Sequence, residues 1–151
     1  MIKNILVVCE GNICRSPMAQ GLLASHLPKV RVMSAGLAAL AGRPADPIAV
    51  QLMEAKGVDI SGHIAAALSL EHVRLAQLIL AMTQAQRKSI ELMYPFTKGK
   101  VYRMAEHEAI DVVDPYRKGM AVFQASLDQI ESGLARWLHS IARLTYDANG
   151  Y

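Results

Sequence analysis

An apolar run, Ile5-Leu6-Val7-Val8, feeds directly into the octapeptide Cys9-Glu10-Gly11-Asn12-Ile13-Cys14-Arg15-Ser16. Pro17 follows, and then apolar residues at helical spacing, Met18, Leu22, Leu23 and Leu27. That pattern reads as buried strand, tight loop, helix. The loop therefore lies at a helix N-terminus, where the first N–H groups have no intrahelical partner and the helix dipole adds partial positive charge. Such a loop favours an anion. Arg15 adds a full charge and a planar fork of donors suited to phosphate oxygens.

A thiol at the mouth of this loop has its ionised form stabilised by the same N–H groups, the dipole and Arg15. Cys9 is the candidate nucleophile. Ser16 is expected at the helix N-cap, where its hydroxyl can bond a free N–H or the sulfur. Gly11 and Asn12 are the residue types that most easily adopt φ > 0, as a loop turning its N–H groups inward requires. A cysteine alone at a strand end would read as a small core residue. Its neighbours change that reading, because they put an oxyanion cradle and a nucleophile in one place, as covalent phosphoryl transfer requires.

The run Val8 to Pro17, with cysteine, five residues, arginine and serine, resembles the phosphate loop of low-molecular-weight protein tyrosine phosphatases. A Ser34-Ala35-Gly36 turn and an Asp114-Pro115-Tyr116 turn extend the resemblance along nearly the whole chain. It implies that Cys9 attacks phosphorus, that Glu10, Gly11, Asn12, Ile13, Cys14, Arg15 and Ser16 bind the phosphate, and that Asp114 is the general acid. It further implies that Ser34 joins the hydrogen-bond network of the loop and that His63 helps hold Asn12. Read without the resemblance, Ser34 is equally a plain turn serine and His63 a structural or solvated loop histidine. Leu40 is the nearest equivalent of an aromatic cleft wall found in many members, and Ile13 and Tyr116 complete the cleft. Ala66 stands where the family usually has an arginine. The versions Ser34-Ala35-Gly36-Leu37 and Asp114-Pro115-Tyr116-Arg117-Lys118 most resemble bacterial members acting on tyrosine autokinases of capsule and exopolysaccharide export. A phosphotyrosine protein of that kind is the implied partner.

With 151 residues and 52% hydrophobic content, one domain spanning 1–151 is expected, with a core on both faces of a sheet. The net charge is +3, and the 16 lysines and arginines are scattered along the chain. That argues against nucleic acid as a partner and suits an anionic substrate. No apolar stretch reaches the roughly 18 residues of a membrane span, and the first strand starts too early for a signal peptide. A cytoplasmic protein without membrane insertion is expected. The two cysteines share one loop, the wrong number for a metal cage and a poor staple for a domain. No metal or cofactor is expected.

Further along, Val30 to Met33 reads as a second strand, and the helical crossover marks a parallel βαβ unit. Asp46-Pro47 opens a helix that Gly57 ends. Leu78 to Met82 has the look of a fully buried parallel strand. Thr83 and Gln86 have capping-box spacing for a helix to about Met93, stopped by Tyr94-Pro95. Val101 to Met104 is a fourth strand. From about Met120 the residues Phe123, Leu127, Ile130, Leu134, Trp137 or Leu138, and Ile141 recur at helical intervals, predicting a long amphipathic helix. The fold class is a doubly wound α/β domain, and the resemblance implies a four-stranded parallel sheet of order 2-1-3-4 with helices on both faces.

A departing phenolic oxygen must be protonated, so a carboxylic acid has to reach the cleft from another segment. Asp114 is the candidate, and Asp111 the competitor. Three other activities share the motif. An arsenate reductase on this scaffold would need cysteines beyond Cys9 and Cys14. The phosphoarginine phosphatases resemble this loop with a threonine where Ile13 stands. A non-catalytic phosphotyrosine-binding module would lack the acid or the nucleophile. Cys14 reads either as a redox guard able to form a disulfide with oxidised Cys9 or as a buried thiol packing the loop.

Overall fold

The computed structural model describes residues 1–148, with side chains through residue 144. The elements run β1 (Asn4–Cys9), α1 (Arg15–His26), β2 (Arg31–Gly36), α2 (Pro47–Glu54), α3 (Leu70–Leu75), β3 (Leu78–Ala81), α4 (Gln84–Met93), a 3-10 turn (Pro95–Thr97), β4 (Val101–Arg103) and α5 (Met120–Ala148). The strands are all parallel and lie in the order β2-β1-β3-β4. From β1 the chain moves outward to β2, then returns past β1 to β3 and β4. The strand order thus reverses at β1, and in open α/β sheets ligands bind beyond the carboxyl ends of the strands at such a point. The loop after Cys9 starts there.

Side-chain alternation along β1 divides the interior into two layers. Ile5, Val7 and Cys9 pack with Met18, Leu22 and Leu23 of α1, Met53 of α2 and the inner face of α5. Leu6 and Val8 pack on the other side with Val73, Ala76, Ile79 and Ile90, beneath α3 and α4. Of the α5 positions picked out by spacing, Phe123, Leu127, Ile130, Leu134 and Ile141 are buried, and of the alternatives Trp137 and Leu138 it is Trp137 that is buried while Leu138 is only partly so. Trp137 donates its indole N–H to the Met104 carbonyl at 3.0 Å, which ties α5 to the chain just past β4.

Local signals account for most element starts. Asp46 caps α2 by accepting from the Ile48 N–H at 2.9 Å, with Pro47 in the first turn. Thr83 and Gln86 form a reciprocal capping box at α4. Three expectations need correction, and one element has no counterpart among them. Ser34-Ala35-Gly36 is not a turn but the end of β2, because β2 stays in register with β1 as far as the pair Cys9 and Gly36. The N-cap of α1 is Cys14 rather than Ser16, and no side chain caps that helix. Of Gly11 and Asn12, only Asn12 has positive φ, at 58°. The short helix α3 was not foreseen. Its Ser69 caps the first turn together with His72 in place of the usual Glu or Gln, and Val73 is its one buried residue.

Candidate active site

The cradle is shaped from outside. Five consecutive carbonyls of the loop accept hydrogen bonds from surrounding protein: Cys9 from the Leu37 N–H at 3.0 Å, Glu10 from Ala38 at 2.9 Å, Gly11 from Leu40 at 3.0 Å and Ile13 from Asp46 at 2.8 Å. The Asn12 carbonyl meets His63 Nε2 at 2.6 Å. With its carbonyls held outward, the loop turns its N–H groups toward the centre, where the uncapped start of α1 contributes its own. The inward turn therefore rests on this outer ring of partners and on the one left-handed residue, Asn12, and Gly11 supplies no positive φ.

Asn12 is fully buried and its side chain is spent entirely on this support. Nδ2 donates to Ser16 Oγ at 2.7 Å and to Ser34 Oγ at 3.0 Å, and Oδ1 accepts from the Ala66 N–H at 2.9 Å. Ser34 Oγ donates onward to Gln20 Oε1 at 2.7 Å. His63 thus reaches the Asn12 backbone, and Ser34 its side chain. The segment holding Ala66 is fastened by its backbone as well, since the Gly36 N–H donates to the Ala66 carbonyl at 2.9 Å and Gly36 pairs with Ala67. The missing arginine side chain leaves these main-chain ties in place.

Cys9 is only 2% exposed, yet its sulfur forms part of the floor of a cleft of about 130 Å³. Sγ lies 2.9 Å from Ser16 Oγ and accepts from the Asn12 N–H at 3.3 Å. Ser16, although not the N-cap, has the sulfur contact expected of it. Arg15 is 3% exposed. Its Nη1 donates to the Val112 carbonyl at 3.0 Å, and its Nη2 stands 3.5 Å from Asp114 Oδ2. A single guanidinium therefore borders the cradle and touches the segment that carries the acid. Cys14 is buried close by, and burial is the main reason its thiol is pushed up to about 12. The carboxylate of Asp46, Cys9 and Asp114 push in the same direction, and Arg15 opposes them.

The cleft is lined by Cys9, Glu10, Gly11, Ile13, Cys14, Arg15, Ala38, Leu40, Asp114 and Tyr116. Ile13, Leu40 and Tyr116 provide apolar walls above the thiol. The Asp114 side chain is about half exposed at 51%, with Oδ1 accepting from the Tyr116 N–H at 3.0 Å. The competitor Asp111 is engaged elsewhere, accepting from the Gln84 N–H at 3.0 Å and from Arg103 Nη1 at 3.2 Å. Asn12, Ser16, Ser34 and His63 lie behind the cleft and support it. Among the described residues, no group of three or more His, Cys, Asp or Glu is arranged to hold a metal ion.

A buried thiol, a cradle of amides, a guanidinium and a carboxylate at one cleft coincide with a sequence match from residue 4 to residue 147 to the family described as low molecular weight phosphotyrosine protein phosphatase. The chain belongs to that family. Among its phosphatase relatives is the probable low molecular weight protein-tyrosine-phosphatase EpsP of Ralstonia nicotianae. It is 50% identical over 144 residues, covering 95% of this chain and 99% of EpsP. The fold of the phosphatase Wzb from Escherichia coli K30, solved in complex with sulphate, superposes with a TM-score of 0.88 at 31% identity, over 93% of this chain and 99% of Wzb. The arginine phosphatase YwlE of Geobacillus stearothermophilus superposes with a TM-score of 0.88 at 32% identity, over 99% of this chain and 97% of YwlE.

Several members of this phosphatase site had no signal in the sequence. Ala38 lines the cleft through its place in the loop after β2. Gln20 is reached by Ser34 only because α1 packs over β2. Gln86, visible as a capping residue, also donates from Nε2 to Glu10 Oε1 at 3.3 Å. These roles come from tertiary placement, and neither motif nor spacing announces them.

Proposed function

We propose that this chain hydrolyses phosphotyrosine through a cysteinyl-phosphate intermediate, acting as one domain over its 151 residues. In the first step the Cys9 thiolate attacks phosphorus in line. The bond from phosphorus to the phenolic oxygen breaks, and Asp114 gives its proton to that oxygen. The loop N–H groups and Arg15 hold the three equatorial oxygens, over which the charge of the transferring group is spread in the transition state. In the second step Asp114, now a carboxylate, takes a proton from water as the water attacks phosphorus. The sulfur–phosphorus bond breaks, inorganic phosphate leaves and the thiolate is restored. No step is assigned to a metal or cofactor.

The observation that carries this reading is the cleft itself, with sulfur at its floor, inward N–H groups around it, and the Asp114 carboxylate at its rim. Ile13, Leu40 and Tyr116 form a slot suited to a flat phenyl ring. The narrower substrate is a tyrosine autokinase of capsule or exopolysaccharide export, met in the cytoplasm. Support for this comes from the Ser34 to Leu37 and Asp114 to Lys118 stretches and from half-identity to EpsP.

The test is turnover of phosphotyrosine peptides by the unaltered protein and by Cys9→Ser. The variant is expected to lose at least about a thousandfold in kcat while still binding phosphate. Turnover by the variant within tenfold of the parent would remove Cys9 as nucleophile. Phosphoserine and phosphoarginine peptides and arsenate in the same panel separate the phosphotyrosine reading from its neighbours, and a preference for phosphoarginine would overturn it.

A further inference from the structure

The segment carrying Asp114 is tied to α1, the end of β3, α4, β4 through Arg103 on Asp111, and α5, and Arg15 Nη2 also stands 3.5 Å from the Asp114 carboxylate itself. Asp111 accepts from the Gln84 N–H at the start of α4. The Val112 N–H donates to the Met82 carbonyl at 2.9 Å, past the end of β3. The Val112 carbonyl accepts from Arg15 of α1 at 3.0 Å. The Val113 N–H donates to Gln129 Oε1 of α5 at 2.8 Å. The last two of these bonds hold one and the same peptide unit, Val112–Val113, Arg15 through its carbonyl and Gln129 through its N–H, and Gln129 alone fixes the N–H side that faces Asp114. Downstream, the Asp114 carboxylate accepts from Tyr116 within its own turn, and the Lys118 N–H donates to the Pro115 carbonyl at 2.8 Å.

We propose that Gln129 is a positioning residue for the general acid, fixing Asp114 over the cleft by holding the Val113 N–H from the long C-terminal helix. This rests on the phosphatase reading above. Gln129 is absent from the cleft lining, so its influence passes through the Val112–Val113 peptide, one residue before Asp114. Val113 is 38% exposed and has no buried side chain to anchor it. Without the amide oxygen of Gln129 the Val113 N–H would turn to water, leaving the Val112–Val113 peptide and the half-exposed Asp114 held from Arg15 alone, so that the peptide could tilt about the Val112 carbonyl and widen the range of the carboxyl. A side chain that must deliver a proton within hydrogen-bond reach loses rate when its rotation widens. The loss falls on the step in which proton donation matters, so it grows as the leaving group becomes a poorer one.

The test compares kcat/KM for two aryl phosphates, one with a strongly acidic phenol and one with unsubstituted phenol, since that quantity covers the steps through phenol release. Gln129→Ala and Gln129→Met both remove the acceptor, and Met nearly keeps the length and volume. Each is expected to lose about three- to tenfold on phenyl phosphate, the range of one ordinary hydrogen bond, and less than about twofold on the activated ester. Gln129→Glu keeps an acceptor oxygen and is expected to restore the parental ratio of the two rates. Phosphate affinity, which needs the cradle but not the acid, is expected to stay unchanged in all three. Equal losses on both esters, no loss on either, or failure of Gln129→Glu to restore the ratio would overturn the inference. If the unaltered protein hydrolyses neither ester, the phosphatase reading falls and takes this inference with it.

Discussion

Cys9 and Cys14 share one loop but have very different surroundings. The first meets an N–H and a hydroxyl at its sulfur, and the second is buried among carboxylates and a neighbouring thiol. In the unfolded chain a thiol ionises near pH 8.5, whereas in the fold Cys14 keeps its proton to about 12. Between those values the folded state binds more protons than the unfolded state. The contribution of Cys14 to stability is thus complete below about pH 8.5 and is lost as pH rises toward 12. Urea unfolding of the parent and of Cys14→Ala should therefore show a stability gap that narrows by about 1 kcal/mol per pH unit from pH 9 upward. A constant gap would contradict the burial of that thiol. That Cys9, Arg15 and Asp114 would meet at one cleft was legible in the sequence, because two of them lie in one short motif and the third in its own Asp-Pro turn. The contacts of Gln20, of the Ala66 amide and of Gln129 were not, since an amide finds such a partner only when folding brings it there.

At the level of elements, the legible ones carried their own start signals. Asp46-Pro47 announced α2, the Thr83 and Gln86 pair announced α4, and apolar spacing drew out α5. Two misreadings have physical causes. Helix α3 has six residues and one buried side chain, too few to show a period, and its capping partner is a histidine. The end of β2 looked like a turn because Ser, Ala and Gly weaken any strand pattern. Gly36 is there because a Cβ at that position would lie 2.5 Å from the Glu10 carbonyl oxygen, so the strand can approach the loop only without one. Gly133 of α5 is a second such contact, with a Cβ falling 2.2 Å from the Met104 carbonyl oxygen. Gly133→Ala would gain about 1 kcal/mol in helix propensity but force α5 away from backbone that has no rotamer to yield. With an overpacking cost of about 1 to 3 kcal/mol set against that gain, a net loss of up to about 2 kcal/mol is expected in thermal unfolding. Gly62→Ala, where a Cβ meets nothing within 4 Å, should stay within about 0.5 kcal/mol of the parent.

Taken as a whole, the molecule converges on one rim of its sheet. The loop after β1, the segment after β2 and the turn at Asp114 all line the cleft there, and a dianion bound in it would link them. A ligand that binds only the folded state adds about 2.7 kcal/mol at a hundred times its dissociation constant. For a domain of this size that corresponds to a rise of about 5 to 10 °C in the melting temperature with phosphate. Cys9→Ser should show the same rise and Arg15→Ala little of it, as differential scanning calorimetry would reveal. Finally, Cys9, the proposed nucleophile, is the last residue of the interior strand β1, sharing a face with Ile5 and Val7. Sliding β1 by a single position against its neighbours would send the sulfur beneath α3 and α4 instead. Such a misaligned chain could be compact and largely helical yet inert, so catalytic competence doubles as an assay of whether the strands have found their proper alignment.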